Sequence, residues 1–184
     1  METRNVTSGQ LRARTAFKLA VAFLSPLQGI IKKGFGEKAR RRKSLALSLA
    51  LGHVLQAAIT DWDADPKIDP SAVLLSEGSL APISLIHVLR HADCIEVKHA
   101  YTQQRFVNGD DLITVCVYHI GSGAVVLNTT LDRREVGLVR VSLPIELQQQ
   151  VLEVYLVASD RTKKKFARSM YLGRSLPDNI WEKQ

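Results

Sequence analysis

Apolar positions along this chain follow two rhythms, and the change from one to the other divides it. After a polar opening over residues 1–9, Phe17, Ala20, Val21, Leu24 and Leu27 recur at spacings of three and four, which lines one face of a helix. Arg12, Arg14 and Lys18 sit early in that helix, Arg14 and Lys18 one turn apart. Ser25-Pro26 then kinks the helix or starts a second one, because serine caps and proline suits a first helical turn. GFG (34–36) interrupts the pattern, and a further helix is expected from about residue 37 to 59. Within it, LALSLALG (45–52) alternates at period two, as a strand would. Leucine and alanine are strong helix formers and no β-branched residue is present, so helix is the reading adopted. Leu47, Leu51, Val54, Leu55 and Ala58 also fit one helical face.

The rhythm changes at DWDADPKIDP (61–70), where acidic residues and two prolines end the helix and mark a boundary. Short runs rich in Val, Ile, Leu and Tyr follow, near 72–76, 83–89, 94–101, 112–119, 124–131, 136–143, 152–159 and 166–172. NGDD (108–111) and GSG (121–123) are the clearest turns between them. VGLVRVSL alternates, with Gly137, Val139, Val141 and Leu143 on one side, and LEVYLVAS alternates as well. Strands at such regular spacing predict an antiparallel sandwich of about 110 residues. The expected fold is therefore α+β, an N-terminal basic helical segment followed by an immunoglobulin-like or fibronectin-like β-sandwich. The expected division is a helical module over 1–60, a linker over 61–70, a sandwich over 71–173 and a tail over 174–184.

Charge sharpens this division. The net charge of the chain is +7, yet residues 1–60 hold eleven basic and two acidic residues, so the whole excess lies in the first third. The densest stretch is KKGFGEKARRRK (32–43), in which Lys32, Lys33, Lys38, Arg40, Arg41, Arg42 and Lys43 make seven cations of twelve residues. Three readings fit it. Charge runs are commonly a solvated helix face, with aliphatic stems covering apolar neighbours. The same cations could neutralise phosphates of a nucleic acid without reading bases, or meet an acidic protein surface. No recognition helix or zinc finger accompanies them, and Phe35 is the one aromatic residue in the stretch. A second cluster, Lys163, Lys164 and Lys165 in DRTKKKFARS, reads as a lysine-tipped turn between two strands, which also discourages edge-to-edge pairing.

Candidate chemistry is sparse. Gly29 and Gly34 have the spacing of a phosphate-binding loop, but Phe35-Gly36 stands where that loop needs lysine and a hydroxyl residue. His87, His91, Asp93, Cys94 and His99 cluster in sequence, yet a four-residue spacing converges on a metal only in a helix, and this region reads as strand and loop. No nucleophile elbow occurs, and Asp110-Asp111 lies in a turn. Neither a metal nor a cofactor is expected. Cys94 and Cys116 lie in apolar strands and are expected to be reduced and mostly buried. LAVAFLSPLQGII (19–31) is too short to span a membrane and lacks the flanks of a secretion signal, so a cytoplasmic protein is expected.

SGQLRARTAFKLAVAFLSPLQGIIKKGF resembles the opening of an uncharacterised bacterial family, a domain of unknown function common in the Bacteroidetes. The matching positions are Gln10, Arg14, Phe17, Phe23, Leu24, Pro26, Gly34 and Phe35. The resemblance continues through AAIT (57–60), IDPSAVLLSEGSL (68–80), LITVCVYHIGSG (112–123) and VYLVASDRTKKKFARSMYLG (154–173). It implies helices followed by a sandwich and transfers no activity. The function expected is non-enzymatic, an interaction or assembly protein with a protein partner or homo-oligomer. The alternatives are a sequence-independent nucleic-acid binder using 32–43 and an enzyme with its site at the sandwich loops.

Overall fold

A reciprocal pair of hydrogen bonds opens the first helix, α1 (Ser8–Leu24). The Thr7 hydroxyl accepts from the Gln10 amide at 3.3 Å and the Gln10 side chain accepts from the Thr7 amide at 3.2 Å. The structure, a computed structural model, describes residues 7–62, 65–103, 107–177 and 181–182. Parts of the expected opening, linker and tail (1–6, 63–64, 178–180 and 183–184) lie outside the described residues.

Pro26 has no amide hydrogen to continue α1, and the chain restarts as α2 (Gln28–Gly34). Leu27, rather than Ser25, stands at its N-cap. Phe35 separates α2 from α3 (Gly36–Arg42). Where one helix was expected over 37–59, the chain breaks at Lys43, whose φ of 48° is left-handed. The Ser44 amide reaches back to the Ala39 carbonyl at 3.0 Å, closing α3 in the manner usually given to glycine. LALSLALG lies in helix, as α4 (Ala46–His53) and a π-helical turn over Val54–Ala58 follow. β1 (Ile59–Thr60) and β2 (Lys67–Ile68) then pair across the expected linker.

The remaining strands form two antiparallel sheets, which with the helices give an α+β fold. The smaller has the order β3 (Ser84–Arg90), β4 (Cys94–Ala100), β8 (Leu138–Ser142). The larger runs β11 (Trp181–Glu182), β10 (Met170–Ser175), β9 (Leu152–Ser159), β5 (Leu112–His119), β6 (Ala124–Leu127). β7 (Asp132–Arg133) pairs with the start of β5 where β6 has left it. No strand forms over 72–76. Pro70–Ala72 is a 3-10 turn capped by the Asp69 carboxylate, and the chain beyond it bonds to serines rather than to a ladder. The Leu75 amide donates to the Ser169 hydroxyl at 2.8 Å, and the Ser76 hydroxyl donates to the Ala167 carbonyl at 2.8 Å. Residues 166–169 are used by this contact, so the expected strand over 166–172 starts only at Met170.

The large sheet is covered on both faces at its centre, where all eight residues of β9 are buried. Leu152, Val154, Leu156 and Ala158 join Ile95, Val97, Val139 and Val141 of the small sheet in one core. Tyr155 and Val157 join Cys116 and Tyr118 of β5 in a second core, with Ala20, Phe23, Leu24, Ile31, Phe35 and Val54 of the helical segment. The helices thus cover one face of the large sheet. Tyr118 ties α1 to the sheet by donating to the Phe23 carbonyl at 3.2 Å, and Tyr155 ties the Pro70–Ala72 turn to it by donating to the Pro70 carbonyl at 2.9 Å. α1 turns inward a face shifted from the one its spacing indicated: Ala20 and Leu24 of the expected set are buried, joined by Ala16 and Phe23. Ala16 and Ala20 are small enough to let it approach, while Phe17 and Val21 remain 49% and 42% exposed. Among the described residues no helix is long and apolar enough to cross a membrane.

Candidate functional site

The basic stretch is split by Phe35 between two short helices. Lys32 and Lys33 close α2, and Lys38, Arg40, Arg41 and Arg42 ride on α3, with Lys43 at its left-handed end. All but Lys38 are exposed. Lys38 is half-buried and forms an ion pair with Glu77; among the described residues the other six have no carboxylate partner. α3 can lie this close to residues 75–77 because Gly34 ends α2 against them. A Cβ at Gly34 would stand 2.4 Å from the Leu75 carbonyl oxygen, inside any tolerable contact. Arg41 and Arg42 line a shallow cleft with Glu37, Lys38 and Glu77, and that cleft shares Ser79 with another containing Arg161 and Lys165.

The second basic cluster forms a tight turn, as expected. The Asp160 carboxylate accepts from the amides of Lys164 and Lys165 at 2.7 and 2.8 Å, and Lys163 adopts φ of 54°. Burial raises the Asp160 pKa, but the hydrogen bond from the Thr162 hydroxyl, with those from the Lys165 and Lys164 amides, outweighs it and holds the pKa low. The three lysine side chains are left exposed.

Local reasoning missed the place where the two clusters meet. Lys33 and Lys163 line one cleft of about 470 Å³ between α2 and the large sheet. Its floor is sheet: Leu112, Ile113 and Thr114 of β5, Val125 and Leu127 of β6, Val157 and Ser159 of β9. Its walls are Pro26–Lys33 on one side and Asn128–Leu131 on the other. Asn128 builds that second wall by replacing a strand partner. Its side-chain oxygen accepts from the Val115 amide at 2.9 Å and its Nδ2 donates to the Ile113 carbonyl at 3.0 Å. The polar groups facing the cleft are lysines, hydroxyls and one committed amide, which suit recognition rather than proton transfer.

The histidines singled out in the sequence do not gather. His87 is on β3, His91 beyond its end and His99 on β4, and no metal-holding cluster of His, Cys, Asp or Glu occurs among the described residues. His99 is only 2% exposed, and neither ring nitrogen has a hydrogen-bond partner. Burial, helped by nearby Arg134, lowers its pKa. Arg134 itself pairs with buried Asp111 at 3.3 Å, an ion pair by distance whose geometry makes no hydrogen bond. Burial outweighs that pairing for both groups, raising the Asp111 pKa and lowering that of Arg134. Arg134 also donates to the Ala81 carbonyl at 2.7 Å, so the cluster ties the turn after β7 to the chain entering β3. Cys116 is buried, but Cys94 is half-exposed, less sheltered than its apolar run suggested.

No curated protein and no protein of solved structure matches this chain. Residues 2–173, nearly its whole length, match a family of unknown function, and the chain belongs to that family, DUF6266.

Proposed function

We propose that this protein is a non-enzymatic interaction or assembly protein that meets an acidic surface of a partner protein through its basic face. The reading takes the two sheets as an immunoglobulin-like or fibronectin-like sandwich, a frame that serves many functions and dictates none. One observation carries it: six of the seven cations in 32–43 lack a carboxylate partner among the described residues. Unneutralised charge concentrated in one segment steers association with a complementary surface and disfavours others. A twofold contact between two copies of this face would set like charges against each other, so the partner is a different protein.

The test is titration of the full chain with polyglutamate and with a single-stranded oligonucleotide of equal charge, over a range of salt. Polyglutamate is expected to bind at least as tightly as the oligonucleotide. The triple variant R40Q/R41Q/R42Q is expected to weaken binding about tenfold or more, while its stability stays within about 0.5 kcal/mol of the parent. Absence of binding to both polyanions at low salt overturns the reading. So does tighter binding of the oligonucleotide with about three units of salt slope lost in the variant, which assigns the face to nucleic acid.

A further inference from the structure

The helical layer is shorter than the sheet it covers. Along β5, side chains at 112, 114, 116 and 118 share one face of the sheet. The helices bury Cys116 and Tyr118 at one end of that row, while Leu112 and Thr114 at the other line the open cleft. The exposed Leu127 is 38% accessible there, beside buried Leu27, Ile30 and Phe166. The cleft, at about 470 Å³, falls within the size range of small-molecule sites.

Its charges are one-sided. No carboxylate and no imidazole is among its lining residues, and the two ionised groups are Lys33 and Lys163. Both are also exposed, so they stand where the cleft meets solvent. Neither has an ion-pair partner among the described residues. An apolar interior with two cations at its rim fits a ligand with an apolar body and a single anionic end. A cationic amphiphile would meet like charge. A polyphosphate would leave most of its charge against leucine and isoleucine.

We propose that this cleft is a binding site for a free long-chain monocarboxylate. The hydrocarbon chain lies along Leu27, Ile30, Leu112, Leu127 and Phe166, and the carboxylate faces Lys33 and Lys163. The site rests on the uncovered end of the sheet and not on the arginines of α3, so it stands or falls separately from the acidic-partner reading.

The probe is cis-parinarate below its micelle concentration, followed by fluorescence with the purified full chain and displaced by dodecanoate, dodecanol or dodecyltrimethylammonium. A single saturable site is expected. Dodecanoate should displace the probe about tenfold more effectively than dodecanol, as one charge-assisted contact provides, and the cation should compete least. Lys33→Met with Lys163→Met keeps the aliphatic stems and should bring dodecanoate and dodecanol to equal potency, a change that general damage to the fold would not produce. Leu127→Glu, at an accessible position, should abolish probe binding, and R40Q/R41Q/R42Q should leave it unchanged. The proposal is overturned if the wild type shows no saturable binding, if the cationic amphiphile competes as well as dodecanoate, or if Leu127→Glu binds the probe normally. The head-group series on the wild type decides the matter even if a variant fails to fold.

Discussion

Replacing Arg90 should cost this fold more than any surface charge, although Arg90 has no ion-pair partner among the described residues. It ends β3 and is only 4% exposed. Its guanidinium is held by five hydrogen bonds. Nη1 donates to the Gln150 carbonyl at 2.9 Å, the Ser175 carbonyl at 3.0 Å and the Ser175 hydroxyl at 3.1 Å. Nη2 donates to the Leu147 and Gln148 carbonyls at 3.2 and 2.6 Å. The small sheet is thereby fastened to the end of β10 and to the loop before β9. Burial lowers the Arg90 pKa, but a guanidinium is so strong a base that it stays charged at neutral pH. Arg90→Met keeps much of the stem volume and strands those carbonyls. A hydrogen bond to a charged group contributes about 1.5–3 kcal/mol, and recovering the desolvation cost of the guanidinium offsets part of the sum. Gln148 and Gln150 are only half-buried, so water can satisfy some of what is lost. The net expectation is a loss of about 3–5 kcal/mol, since each buried acceptor left unsatisfied costs about 1–3 kcal/mol. For a chain of this length that lowers Tm by about 6–20 °C. Arg90→Lys should rescue little, because a point charge cannot span acceptors placed around a planar fork. Urea and thermal denaturation followed by circular dichroism would measure both variants, with amide exchange reporting on residues 147–151. If Arg90→Met stays within about 0.5 kcal/mol of the parent, or Arg90→Lys is as stable as wild type, the clamp does not hold the sheets as argued.

Three further outcomes are expected. Lys43→Gly should raise stability by about 0.5–1 kcal/mol in denaturant titrations, since glycine takes the left-handed conformation without the strain lysine bears; a loss of stability would mean that the lysine side chain contributes there. Thiol labelling of the native protein should separate the cysteines: Cys116, fully buried with its pKa pushed up to about 12, reacts only on unfolding, and Cys94 reacts slowly but measurably first. Stability should fall as pH drops below the ordinary histidine value of 6.5, because the unfolded chain takes up a proton that burial and Arg134 deny to folded His99. His53, lowered by burial and by Arg168, acts in the same direction, so His99→Leu should flatten the pH dependence without removing it. An unchanged slope in that variant would show that His99 does not supply this term.

The parts of this fold that were legible in the sequence are those set by local rules. Runs rich in Val, Ile, Leu and Tyr mark β5 and β9 to the residue, because such side chains suit a pleated and buried surface wherever they occur. Alanine and leucine outweighed the period-two look of LALSLALG, because intrinsic helix preference acts within the segment itself. Elements fixed by distant partners were not legible. Val73, Leu74 and Leu75 read as a strand, but the Leu75 amide finds the Ser169 hydroxyl and the neighbouring Ser76 hydroxyl finds the Ala167 carbonyl, almost a hundred residues away. Lys43 breaks the expected long helix with a residue that ordinarily continues one.

The basic stretch over 32–43 was legible as a run of charge, but the cleft lined by Lys33 and Lys163 lies in that second class. Nothing in IIKKGF says that Lys33 will share a cleft with Lys163, because neither residue belongs to a spacing motif and each has a sufficient local explanation. Their meeting depends on Gly34, which lets α2 close on residues 75–76, and on the bonds from 76–80 to 166–169 that bring the 160–166 turn alongside. Gly78 completes that contact, since a Cβ there would stand 2.2 Å from the Phe166 carbonyl oxygen. A glycine required by a close backbone approach looks, in sequence, like a glycine required by a turn. GFG was read correctly as an interruption of the helix. Its further consequence, a cationic rim assembled from two ends of the chain around an uncovered strip of sheet, exists only once the segments have docked.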